Sequence, residues 1–247
     1  MPKFFVAKDK IDGTTITIDT DDVSHIKRVL RLNIGDSITV CDSAATDYTA
    51  EITDISDKAV VCRILSKEKN NAEPNISATI FQALPKATKM ELIIQKNTEL
   101  GVVRIVPCEL SRCVVKLDSK DAKKKCERWQ KIADEAAKQS GRGVLPTVSD
   151  VMKFKDAVKE MKKSDIYFVP YESAEEITLK SVLTEKTGTT VAFMIGPEGG
   201  FSPEEAEYLK NENVPLVTLG KRILRTETAG MAVLSMVMYE IGDINCI

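Results

Sequence analysis

Two segments near the carboxyl end have residue types and spacing that can do chemistry. The first is Met194-Ile-Gly-Pro-Glu-Gly-Gly-Phe-Ser-Pro203. An apolar strand, Val191 to Ile195, runs into Gly196-Pro197-Glu198-Gly199-Gly200, and a helix follows. Ligands of open α/β sheets bind outside the carboxyl ends of strands, and adjacent glycines let the backbone approach a ligand closely. The same glycines suit a tight turn with positive φ, and composition does not separate the two readings. The second segment is Val217-Thr-Leu-Gly-Lys-Arg-Ile-Leu-Arg225, which leads into Thr226-Glu-Thr-Ala229 and a last helix. Thr226 can cap that helix, and Glu227 suits its first turn through the helix dipole. Helix chemistry does not account for Lys221, Arg222 and Arg225 beside apolar Ile223 and Leu224.

Other chemistries lack their residues. There is no G-x-G-x-x-G after a strand and no G-x-x-x-x-G-K-[ST] phosphate loop. There is no G-x-S-x-G elbow. The one histidine, His25, lies far from the α/β part, which argues against a hydrolase triad. It also leaves a Cys/His zinc site poorly supplied, so no metal is expected. Cys41, Cys62, Cys108, Cys113, Cys126 and Cys246 are scattered, with no Cys-x-x-Cys pair, and read as reduced thiols in a chain large enough to build its own core.

The elements that must hold these segments change character along the chain. Ile16–Ile18, Ser37–Val40, Tyr48–Ile52 and Ala59–Ile64 read as short strands, with a hairpin signal at Asp12-Gly13. Asp21 to Leu32 reads as one helix, capped by Asp22 or Ser24, with Val23, Ile26, Val29 and Leu30 as its apolar stripe. This is the composition of a small β-barrel. Ser66 to Pro74 has no apolar residue larger than alanine and reads as a linker. Beyond it, strands at Ile76–Phe81, Val102–Val106, Ile166–Val169, Val191–Ile195 and Leu216–Leu219 alternate with helices at Thr88–Leu100, Ala122–Ser140 and Glu227–Tyr239. Ser202-Pro-Glu-Glu205 is a capping box that starts another helix. Such alternation implies a parallel sheet covered on both faces.

With 247 residues, 43% apolar and 29% charged, the chain can bury a core of one large or two small domains. Its 35 basic and 37 acidic residues give a net charge of −2, but residues 101–150 hold eleven Lys/Arg against seven Asp/Glu. A local basic patch of this kind is enough to contact phosphates. No apolar run is long enough to span a membrane, and the amino terminus lacks a signal-peptide pattern. A cytoplasmic protein is expected.

The sequence resembles the ribosomal RNA small-subunit methyltransferase E family, which methylates N3 of a uridine in 16S rRNA. The resemblance covers essentially the whole chain. It rests on His25-Ile-Lys-Arg-Val-Leu-Arg31 followed by Gly35-Asp36, Gln82-Ala-Leu-Pro-Lys86, Gln95 to Gly101, Ser111-Arg-Cys113, and Trp129 through Glu135 to Arg142. It also rests on Gly196-Pro-Glu-Gly-Gly-Phe-Ser202 and Leu219-Gly-Lys-Arg-Ile-Leu-Arg-Thr-Glu-Thr-Ala229, which together are highly specific. One departure is Leu110-Ser111-Arg112, where many relatives carry an acid before the arginine.

The resemblance implies an α/β protein. A small PUA-like β-barrel that helps bind RNA would occupy residues 1–70, and a SPOUT methyltransferase domain with a C-terminal trefoil knot residues 75–247. It implies a homodimer and S-adenosylmethionine as cofactor. The cofactor would be held by three loops, comprising Pro170, Tyr171 and Glu172; Gly196 to Gly200 with Glu198; and Leu219 to Leu224. Ile195, Leu219, Ile223 and Leu224 can wall an adenine, while Gly196, Gly199, Gly200 and Gly220 expose backbone. A sulfonium cofactor needs no phosphate cradle, which agrees with the missing phosphate loop.

Uridine N3 must lose its proton before or during attack on the methyl group. Arg225 is the first choice for stabilising the developing negative charge. Glu227 or Glu198 can serve as base only if burial raises its pKa. N3 lies on the pairing edge, so the base must be unpaired. Lys27, Arg28, Arg31, Lys86, Arg112 and Arg142 are the candidate RNA contacts, each a cation inside a family-matching segment. His25 is either packing or RNA contact. Lys123–Lys125 reads as helix surface, and Trp129 as core or dimer packing. The alternatives are a SPOUT enzyme with another RNA target, such as a ribose hydroxyl, and a non-catalytic RNA-binding or ribosome-assembly protein.

Overall fold

Short β-branched runs such as Thr14 to Ile18 and Ile38 to Val40 recur in the first seventy positions, and they pair into a six-stranded sheet. In chain order the strands are β1 (Lys3–Phe5), β2 (Ile11–Asp12), β3 (Thr15–Ile18), β4 (Ser37–Cys41), β5 (Thr46–Ile55) and β6 (Val60–Lys69). The computed structural model describes residues 1–185 and 187–244; Cys246 therefore lies outside the described residues. The sheet order is β1-β4-β5-β6-β3-β2. All pairs are antiparallel except β1 with β4. Asp12-Gly13 turns the β2–β3 hairpin, with Gly13 at φ 55°. The inward faces bury Phe4, Ile16, Ile18, Ile38, Val40, Ile52 and Val60.

The structure departs from the sequence reading at two places in this region. The expected linker begins as strand: β6 runs on to Lys69, which pairs with Thr46. Ladder hydrogen bonds hold a strand whose side chains are solvated, so polarity alone misleads there. The expected helix over 21–32 is a short turn, α1 (Asp22–Ser24), followed by a π-helix at His25–Leu30. Val23 and Ile26 are buried, but the wider π-turn rotates Val29 and Leu30 outward, to 65% and 37% exposure.

The second sheet is wholly parallel. Its elements are β7 (Ser77–Ala83), α2 (Lys89–Glu99), β8 (Arg104–Glu109), α3 (Ser119–Gln139), β9 (Thr147–Val148), β10 (Met152–Lys153), α4 (Phe154–Met161), β11 (Ile166–Pro170), α5 (Leu179–Glu185), β12 (Thr190–Ile195), α6 (Pro203–Asn211), β13 (Leu216–Val217) and α7 (Thr226–Glu240). The order is β10-β8-β7-β12-β11-β13, with β9 also on β8. β12, in the middle of the sheet, is buried on both faces and apolar from Val191 to Ile195. Gly101, at φ 97°, ends α2 in the left-handed conformation that a helix C′ residue takes. Trp129 is buried in this core.

The compact units are residues 1–73 with 137–145, and residues 74–136 with 146–247. The sequence reading gives everything after residue 75 to the second domain; Ala137–Leu145 instead packs within the first unit. There Ala137 and Leu145 contact Phe5 and Cys41, and Gly143 donates its N–H to the Glu73 carboxylate at 2.7 Å. No helix among the described residues is long and apolar enough to cross a membrane.

Candidate active site

The carboxyl ends of three neighbouring strands, β12, β11 and β13, open into one cavity of about 850 Å³. Pro170, Tyr171 and Glu172 follow β11. Ile195, Gly196, Pro197, Glu198, Gly200 and Phe201 follow β12. Thr218 through Thr226 follow β13. Of the sequence-derived cofactor residues, all but Gly199 line this cavity. Gly199 lies behind the wall, where its carbonyl accepts a hydrogen bond from the Arg112 guanidinium at 2.8 Å.

The glycine loop needs glycines for space and for conformation. A Cβ on Gly196 would sit 3.1 Å from the Phe201 ring, and Gly200 has φ 65°. Phe201 packs edge-on against Tyr171, so the loops after β11 and β12 brace one another. Behind the loop, the expected capping box is present: Ser202 accepts the Glu205 N–H, and Glu205 accepts the Ser202 N–H. The buried Glu205 also accepts the Ser111 N–H at 2.8 Å, which ties the 110–113 turn to α6.

Thr226 does not cap α7. It is the first helical residue, and Arg225 holds the cap position in extended conformation. The Thr226 hydroxyl instead donates to the Gly196 carbonyl at 2.7 Å and accepts from the Gln82 amide at 3.0 Å. The hydroxyl therefore fastens the loop after β12 to the end of β7. This leaves Arg225 exposed on the cavity rim.

The acidic pair does not meet the condition for a general base. Burial pulls Glu198 upward, but its own backbone N–H, the Lys86 N–H and the Lys89 ammonium hold it below the usual carboxylate range. Glu227 is also held low, first by its own backbone N–H at the helix start, then by Lys89 and Arg225 against partial burial. Lys89 lies 3.1 Å from Glu198 and 3.2 Å from Glu227, and both partners raise its pKa. Both carboxylates are ionised at neutral pH and poorly disposed to take a proton. Glu227 is moreover not among the cavity-lining residues, whereas Lys89 is. Sequence reasoning missed Lys89, because its significance comes from two acids that are distant in the chain.

The candidate RNA contacts fall in three groups. His25, Arg28 and Arg31 are exposed on and just after the π-helix, and Lys27 pairs with Asp57 at 2.6 Å. Lys86 and Arg112 are exposed beside the glycine loop. Arg142 is different. Its side chain is 2% exposed and forks onto Glu73 with two contacts of 2.8 Å. A guanidinium so engaged holds the first unit together and does not face RNA. Among the described residues, no cluster of His, Cys, Asp and Glu is arranged to hold a metal.

The chain as a whole matches a known class, the RNA methyltransferases. An RNA methyltransferase domain model matches residues 72–238, and an RNA methyltransferase PUA domain model matches residues 18–65. The chain is similar to ribosomal RNA small subunit methyltransferase E of Bacillus subtilis, with 39% identity over 97% of each chain. It is also similar to the protein of that name from Mesomycoplasma hyopneumoniae, with 31% identity over 95% of this chain and 98% of the relative. The crystal structure of a ribosomal RNA small subunit methyltransferase E from Neisseria gonorrhoeae, bound to S-adenosyl methionine, superposes with a TM-score of 0.89. The two are 30% identical, over 99% of each chain. The chain belongs to the ribosomal RNA small subunit methyltransferase E family.

Proposed function

We propose that this chain is an S-adenosylmethionine-dependent methyltransferase acting on N3 of a specific uridine in the 16S rRNA of the small ribosomal subunit. The observation that carries the reading is the cavity at the carboxyl ends of β12, β11 and β13, in a chain of this family. Its size suits a small-molecule cofactor. Its walls are apolar at Ile195, Phe201, Leu219, Ile223 and Leu224, with open backbone at Gly196, Gly200 and Gly220. These residues fit an adenine and a sulfonium better than a phosphate. When bound, the cofactor supplies an electrophilic methyl group.

The chain's own residues supply position and charge. Arg225, on the rim, donates its guanidinium hydrogens to a uracil carbonyl and stabilises the negative charge that grows as N3 gives its proton to solvent water. Its planar fork suits that task. With Glu198 and Glu227 both held ionised and low, the charge-stabilising route is favoured over a carboxylate base. Lys221, Arg222, Lys86 and Arg112 are exposed near the same loops and suit phosphate contacts, as do His25, Lys27, Arg28 and Arg31 on the first unit. The exposed apolar side chains of Met236 and Tyr239 on α7 suit a homodimer. A cytoplasmic location follows from the substrate.

The test is methyl transfer from labelled S-adenosylmethionine to unmethylated small subunits and to free 16S rRNA, with the product nucleoside identified by mass spectrometry. The expected product is 3-methyluridine, and Arg225→Ala abolishes it while RNA binding persists. A different methylated nucleoside overturns the substrate assignment. Absence of both cofactor binding and transfer favours an RNA-binding role. Sedimentation of the purified protein tests the dimer.

A further inference from the structure

We propose that Lys89 is a positioning residue for methyl transfer: its ammonium, held between Glu198 and Glu227, ties the start of α2 to the glycine loop and to the start of α7, and so sets the cavity wall beside Arg225. The inference rests on the methyltransferase reading above.

The three groups come from three separate elements. Lys89 opens α2, Glu198 lies in the loop after β12, and Glu227 is in the first turn of α7. The ammonium reaches Glu198 Oε1 at 3.1 Å and Glu227 Oε2 at 3.2 Å. Glu198 Oε1 also accepts the Lys86 N–H at 3.1 Å, so the glycine loop is clipped twice to the 86–89 segment. All three side chains are largely withdrawn from solvent, at 27%, 25% and 17% exposure. Lys89, Glu198 and Arg225 line the same cavity.

One cation shared by two carboxylates does something that a simple tie does not. It allows two negative groups from different elements to sit close together while both stay ionised. Without it, Glu198 keeps the Lys86 N–H and Glu227 keeps the charge of Arg225, and neither group bridges both acids. Glu172, across Gly200, adds further negative charge. Repulsion then either parts the glycine loop from α7 or leaves one carboxyl protonated. Either outcome displaces the Gly196 wall relative to Arg225, and small displacements of this kind are costly in catalysis.

The experiment compares wild type, Lys89→Met, Lys89→Arg and Lys89→Met/Glu227→Gln. Each is assayed for S-adenosylmethionine affinity by calorimetry and for methyl transfer from pH 5.5 to 9. In Lys89→Met, KM for the cofactor rises by about tenfold or more, with a smaller change in kcat. The acidic limb of the pH profile also moves to higher pH. Lys89→Arg restores affinity and limb to near wild type, and Glu227→Gln in the Lys89→Met background returns the limb. The proposal is overturned if Lys89→Met leaves KM within twofold and the pH profile in place. It is equally overturned if activity falls only in step with melting temperature and Lys89→Arg does not rescue. If wild type itself binds no S-adenosylmethionine, the methyltransferase reading falls, and this inference falls with it.

Discussion

Replacing Thr226 with valine keeps the shape of a buried side chain and removes only its hydroxyl. That hydroxyl donates to the Gly196 carbonyl at 2.7 Å and accepts from the Gln82 amide at 3.0 Å. Two hydrogen bonds are lost, each contributing about 1 kcal/mol net, and the abandoned partners add their own desolvation cost. Gln82 still donates to the Ala83 carbonyl at 3.0 Å, which limits its loss. The Gly196 carbonyl is in a loop that lines the cavity, where water can partly replace the hydroxyl. The sum is about 2–3 kcal/mol, toward the low end of the range for two orphaned groups. For a chain of this size that lowers Tm by roughly 5–10 °C. Thermal denaturation of Thr226→Val beside Thr226→Ser, which keeps the hydroxyl, reads the effect directly. Calorimetric titration with S-adenosylmethionine should show weaker binding in the valine variant alone, because Gly196 is part of the cavity wall. A valine variant that melts within a degree of wild type and binds equally well would refute the assigned role of this hydroxyl.

Two further outcomes are expected. Arg142→Met leaves the half-buried Glu73 without its cation but with the Gly143 and Val144 N–H groups, and costs about 2–3 kcal/mol in urea denaturation, below the range for a fully buried pair, yet the folded variant binds RNA as wild type does; a loss of RNA affinity without loss of stability would restore Arg142 to the RNA face. Burial pushes the Cys41 thiol up to about 12 and Cys62 up to about 11. The thiolate is the reactive form, so raised thiols label more slowly as pH falls below those values. In a Cys246→Ser background at pH 8, native protein reacts with a disulfide reagent far more slowly than urea-unfolded protein; fast labelling of Cys41 or Cys62 in native protein would contradict the packing.

The sequence made the two kinds of sheet legible because each has its own local pattern. Ile16 to Ile18 and Val60 to Ile64 alternate or cluster as β-branched runs between turn residues, and Val191 to Ile195 is the uninterrupted apolar run that only a doubly covered strand tolerates. The capping box at Ser202 and the left-handed Gly101 are one-turn signals, and both stand in the structure as read. Non-local structure was not legible. β1 is only three residues long and joins the sheet by a parallel pairing with β4. The π-turn at His25–Leu30 shifts a helix face by a hydrogen-bond choice that no residue type announces. Most of the cavity could be drawn from three loops and their glycines. Lys89 could not, since its role depends on Glu198 and Glu227 arriving from far along the chain. Arg142 misled for the same reason: a cation in a family segment looks available until Glu73 is found beside it.

The nine residues Ala137–Leu145 give the first unit an order of assembly. Residues 1–73 contain all six strands of its sheet, yet Phe5 and Cys41 lack their packing partners until Ala137 and Leu145 exist, and Glu73 lacks its cation until Arg142 does. During synthesis, residues 74–136 emerge before the segment that completes the packing of the first unit. A gene fragment ending at residue 73 would encode a complete sheet with an open flank. The first unit is thus discontinuous in the chain, and a cut at residue 73 separates its sheet from the segment that completes its packing.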